Sequence, residues 1–167
     1  MGLLSLAIWL PIASGALLLA FGRDEQAKAV RWFALLAALA SFLVTLPLIS
    51  GFDLGTAAMQ FQENRPWIDR FNMHYHLGVD GISVWFVLLT AFITFVVIIA
   101  GWESITDRVA PYMAAFLILS GLMVGVFCAL DGMLFYVFFE ATLIPMYIIV
   151  GVWGGPNRIY AAFKFFL

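Results

Sequence analysis

Residues 133–152 read MLFYVFFEATLIPMYIIVGV, twenty residues apolar enough to cross a hydrocarbon core about 30 Å thick as one α-helix, yet interrupted by a carboxylate, Glu140. An ionised side chain at that depth costs several kcal/mol unless it is protonated, paired or wetted, so an acid kept there points to an ion pathway. Glu140 is the eighth residue of the run, which at about 1.5 Å per residue places it within a few ångströms of the midplane. Helical spacing puts Tyr136, Val137, Leu143, Ile144 and Tyr147 on its face, so two phenols, Tyr136 and Tyr147, are candidate hydrogen-bond partners. Pro145 removes an amide donor and crowds the carbonyl of Ala141, which predicts a kink beside the acid and a carbonyl free for water or a side chain. Membrane helices also carry proline without a special role, and both readings stay open.

Outward from this segment, four more runs reach spanning length: Leu3 to Phe21, Trp32 to Ile49, Ile82 to Gly101, and Tyr112 to Leu130. A sixth runs from Ile159 to Leu167, nine residues where about 20 are needed to cross. The expected fold is an all-α integral membrane protein, a single membrane domain over 1–167 with five complete spans and the start of a sixth. Backbone groups stranded in hydrocarbon are costly, so the sixth run predicts a polypeptide that continues or is completed by another chain. The first run has no Lys or Arg before Arg23, unlike a secretory leader, and is expected to stay as a helix.

Composition sets the limits on function. Hydrophobic residues make up 65% of the chain and charged ones 11%, which excludes an ordinary soluble domain. A net charge of -2 without any basic run argues against a nucleic-acid partner. Cys128 is the only cysteine, so a disulfide within the chain, a thiolate zinc site or iron–sulfur ligation by this chain alone is excluded. No glycine-rich nucleotide motif occurs, which disfavours a free-standing enzyme.

Basic residues set the orientation. Arg23, Lys28, Arg31, Arg108 and Arg158 fall in one set of alternate loops and only Arg65 and Arg70 in the other, so the amino terminus is expected outside. Trp32, Trp102 and Trp153 then mark the inner boundary, and Trp9, Trp67 and Trp85 the outer one. Within the long outer loop, Phe71, Met73, Tyr75, Leu77 and Val79 alternate with Asn72, His74, His76, Gly78 and Asp80, the period of a strand or hairpin with its apolar face on the helix ends. His74 and His76 share a face near Asp80, but solvent-facing histidines need no metal, and no metal site is expected. Asp131 reads as a solvated turn residue, and Gly121 with Gly125 as a small-residue helix contact. Lys164 is the one intramembrane lysine. It offers Glu140 a countercharge that would lower its pKa, although snorkelling to the inner surface is the simpler reading.

Two stretches, PWIDRFNMHYHLGVDGIS at 66–83 and FFEATLIPMY at 138–147, resemble the antiporter-like subunit M (chain 4) family of proton-pumping NADH:quinone oxidoreductase, respiratory complex I. The helix spacing and the Asn157-Arg158 loop before Lys164 to Phe166 are also similar, and the likeness covers the chain as that family's amino-terminal third. The resemblance implies that Glu140 pairs with a lysine on a later broken helix and takes part in proton translocation. It implies that NADH, FMN, iron–sulfur clusters and quinone are held by partner subunits and that none is bound by this chain. It further implies neighbouring antiporter-like subunits as partners within the lipid bilayer. A bacterial plasma membrane is the expected location, with the mitochondrial inner membrane also compatible. Two alternatives stand beside this: a subunit of a multisubunit sodium/proton antiporter, and a non-transporting structural membrane piece.

Overall fold

A backbone in a medium without water must satisfy its amides within its own segment, and each long apolar run accordingly becomes a helix. The computed structural model describes residues 2–167. Five helices are long and apolar enough to span: α1 (Leu3–Phe21), α2 (Ala27–Ser50), α3 (Ser83–Ser104), α4 (Val109–Cys128) and α5 (Gly132–Trp153), followed by the short α6 (Arg158–Phe166). The fold is the expected one, helical with a short β element. Helix α2 starts five residues before its apolar run, where Ala27 and Ala29 favour helix. There Arg31 Nη2 donates to the carbonyl of Ile105 at 2.9 Å, tying the start of α2 to the α3–α4 loop.

Helix α4 is the central element and α5 a peripheral one, for 67% of the span of α4 is buried against 17% of that of α5. Small residues let α4 sit close to its neighbours. A Cβ on Gly15 would lie 2.8 Å from the carbonyl of Ala114, and one on Gly121 would collide with Ile8 and Ile12 of α1. A Cβ on Gly125 would instead meet the ring of Phe138 on α5 at 2.7 Å, so the two glycines of α4 serve different seams. Leu4, Ile8, Leu48, Val87, Val124 and Cys128 form the core at one end, and Leu18, Ala34, Ile98, Met113 and Leu117 the core at the other. Ser41, Thr90 and Thr94 are buried without cost because each hydroxyl donates to a carbonyl one turn earlier.

Between α2 and α3 lies an antiparallel hairpin of β1 (Gln60–Ile68) and β2 (Met73–Val79). The alternation that includes Phe71 starts two residues too early. Asp69–Phe71 forms a 3-10 turn, Asn72 takes the left-handed conformation at φ 53°, and Phe71 is 65% exposed. Leu77 and Val79 have no exposed surface and join the core beneath, so the apolar face of β2 rests on the helix ends. The α4–α5 turn docks on the same strand, with the amide of Leu130 donating to the carbonyl of His76 at 2.8 Å.

Candidate functional site on the fifth helix

Helix α5 is anchored at its start by a side chain. Asp131 Oδ1 accepts hydrogen bonds from the amides of Met133 at 2.9 Å and Leu134 at 3.1 Å, and Oδ2 accepts from the amide of His74 at 3.2 Å. Asp131 is therefore the cap of α5 and its tie to β2, rather than a merely solvated turn residue. An Asp-Gly pair just before an apolar run is a capping signal the sequence already carries. The backbone amide of Leu134 is the main cause that holds the Asp131 carboxyl below the usual carboxylate range, followed by the amide of His74.

From that anchor α5 continues as one helix through Pro145 to Trp153. Leu134, Phe138 and Pro145 are buried against the bundle. Pro145 thus stands on the packed side, while Glu140, one and a half turns earlier, is exposed on another face. Tyr136 is 55% exposed and Ile144 58%, one turn before and after Glu140 on the same stripe, so no helix of the chain covers this face. Tyr147 is engaged elsewhere: its ring centre lies 5.8 Å from that of Phe163 and 5.4 Å from that of Phe166, joining α5 to α6. Lys164 does not reach the acid. Its Nζ sits 5.8 Å from the centre of the Tyr160 ring, one turn back toward the start of α6. Among the described residues the single ion pair is Arg108 with Asp107, and Glu140 enters none.

At the far end of α6 from this stripe, Arg158 Nη1 donates to the carbonyl of Val152 at 2.8 Å and caps the last turn of α5. Trp153 adds a second tie, its ring nitrogen donating to the carbonyl of Asp107 at 3.0 Å while the ring packs on Tyr112 at 5.3 Å. Both ends of the helix that carries Glu140 are thereby fixed.

A second acid shapes the opposite end of α1. The Glu63 carboxylate accepts from the amide of Ser5 at 3.0 Å and from the Ser5 hydroxyl. The Tyr75 hydroxyl lies 3.0 Å from Ser5 Oγ and accepts from Trp9 Nε1 at 3.0 Å. Glu63 thus satisfies an amide that the first turn of α1 leaves free. Nothing local in the sequence announces this contact, which joins residues 58 positions apart. His74 faces Asn64 and Asn72, and His76 faces Gln62, all amide side chains.

Taken together, the five spans, the hairpin clamp and the carboxylate set part-way along a fixed helix define a multi-pass membrane protein with an acid inside one span. Residues 129–167 match the family model described as NADH:quinone oxidoreductase/Mrp antiporter, TM. The chain is 52% identical over 168 residues to NADH-quinone oxidoreductase subunit M of Rhodobacter capsulatus, covering 99% of this chain and 32% of that protein. It is 46% identical over 154 residues to NADH-ubiquinone oxidoreductase chain 4 of Arabidopsis thaliana, covering 92% of this chain and 31% of the other. A chain of respiratory complex I from Thermus thermophilus with bound NADH superposes with a TM-score of 0.79 at 31% identity, over 96% of this chain and 31% of that one. The chain belongs to the subunit M (chain 4) family of NADH-quinone oxidoreductase and spans about a third of the length of the relatives it matches.

Proposed function

We propose that this chain is the amino-terminal part of a proton-translocating membrane subunit of respiratory complex I, and that Glu140 is its proton carrier. The observation that carries this reading is an acid part-way along a spanning helix, on a face that the other helices of the chain leave uncovered while both helix ends are held. An ionised carboxylate cannot rest against lipid at that depth, so it meets either a countercharge or a proton. A lysine approaching it from another segment would stabilise the ionised carboxylate, and its departure would favour the protonated form, so each cycle of charge movement takes up and gives off a proton. Tyr136, one turn away on the same open face, is placed to share a hydrogen bond with the acid or a water beside it. Tyr147, Pro145 and Lys164 act on this reading as supports of the helix and its α6 contact.

The names of the relatives favour complex I. On this reading NADH, FMN, iron–sulfur clusters and quinone are held by partner subunits, and neighbouring antiporter-like subunits flank this one. The membrane is a bacterial plasma membrane with the amino terminus outside, the basic loops lying inward. The family description also includes multisubunit antiporters, which supports a second reading as a sodium/proton antiporter subunit. Two measurements separate these. In inverted vesicles, Glu140→Gln should leave NADH oxidation and assembly in place and lower the protons moved per NADH by the share this subunit carries. Unchanged proton translocation by the assembled variant would refute the role. Sodium-dependent transport by a chain purifying without redox subunits would favour the antiporter.

A further inference from the structure

Where α1, the hairpin and α5 meet, a cleft of about 620 Å³ opens at the end of the bundle that carries the hairpin. Its floor is apolar, formed by Leu134, Val137 and Phe138 in the first turns of α5, and its rim carries Trp9, Trp67 and Arg65. Trp9 is 42% exposed and Trp67 47%, so both rings stand at the rim rather than filling it. Further along α5 a second cleft of about 410 Å³ lies mainly between α4 and α5, lined by Ile118, Leu122, Ile144 and Ile148 with Leu19 of α1 at its edge, and no charged residue. The seam that α5 makes with α1 and α4 thus has one cationic, tryptophan-flanked end and an apolar remainder.

We propose that this seam binds an anionic phospholipid, its phosphate on Arg65 and an acyl chain along the apolar floor. The charge pattern commits the cleft to that occupant. Arg65 is exposed, and the single ion pair among the described residues is elsewhere. The nearest carboxylate along its strand, Glu63, is occupied by the amide and hydroxyl of Ser5. A guanidinium at headgroup depth without a protein countercharge suits a phosphate, which it can grip with two parallel N–H bonds. Two tryptophans beside it match the depth at which indoles settle, and the residues beyond match the depth of lipid tails. Basic residues are scarce on this side, where Arg65 and Arg70 are the only cations of the long loop, so the placement of one at the cleft mouth is informative.

The test uses the purified intact complex in mild detergent. Native mass spectrometry with lipid extraction should find a phospholipid retained by the wild type and lost severalfold in Arg65→Gln, with Arg65→Lys keeping most of it. In parallel, a photoreactive residue at Val137 should cross-link to phospholipid when the complex is reconstituted in vesicles containing phosphatidylglycerol. Equal lipid retention by wild type and Arg65→Gln would overturn the proposal. So would a cross-link from Val137 to a polypeptide segment of the complex, which would identify the seam as a protein contact. Neither readout depends on proton pumping, so the proposal fails or stands apart from the role of Glu140.

Discussion

Three carboxylates near the spans live in opposite settings, and the setting decides what each does. Asp131 and Asp80 lie at helix starts among amide donors. Asp80 Oδ1 accepts from the amides of Ser83 at 2.7 Å and Ile82 at 2.9 Å while Ser83 Oγ receives the amide of Asp80, a reciprocal cap on α3. Its carboxyl is held below the ordinary range, chiefly by the Ser83 amide. Because the folded state lowers the pKa of both groups, their contribution is fully present above the ordinary carboxylate pKa of about 3.9 and fades as pH falls through the lowered value. Asp80→Ala should therefore lower stability by about 1 kcal/mol at pH 7. The deficit should shrink as pH falls below the ordinary carboxylate value of about 3.9 and the wild-type acid protonates, read as melting temperature of the purified complex against pH. Among the described residues Glu140 has no such donors, whereas the amides around Asp80 keep that carboxylate ionised. Its position was legible from hydropathy alone. The grip of Glu63 on Ser5 was not, since a contact across 58 positions depends on how the hairpin lies and leaves no local pattern.

The α1–α4 crossing and the hairpin set the geometry at the level of elements. Gly121 is where α4 comes against the backbone of α1, with Ile8 and Ile12 filling the space a side chain would need. Gly121→Val should push the two helices apart at a cost of about 1–3 kcal/mol, seen as a lower melting temperature and reduced assembly of the complex. The milder Gly132→Ala, whose Cβ would meet nothing, is the control that should leave both unchanged apart from its small helix-propensity effect. The small-residue spacing in α4 was readable as a contact. Which neighbour each glycine meets was not, because positions four apart on a central helix can face different partners. Strand period placed β2 within two residues, and the error at Phe71 came from a turn whose left-handed Asn72 breaks the alternation without interrupting the apolar pattern.

Across the whole molecule, the division between packed and open surface carries the functional argument. Helix order and number followed from run length, since a spanning helix has little freedom in how long it is. The open face of α5 could not be read that way, because all sides of a membrane helix are apolar and only packing distinguishes them. Glu140 lies on that open side between Tyr136 and Ile144, while Tyr147 and Pro145 are turned to α6 and to the bundle. A proton carrier at Glu140 must change protonation during turnover. The most direct measurement is the infrared difference spectrum of the intact complex on NADH addition, compared between wild type and Glu140→Gln. A protonated-carboxyl band is expected in the wild type and should be absent from the variant. Identical spectra from the two would contradict it and leave Glu140 as a structural acid.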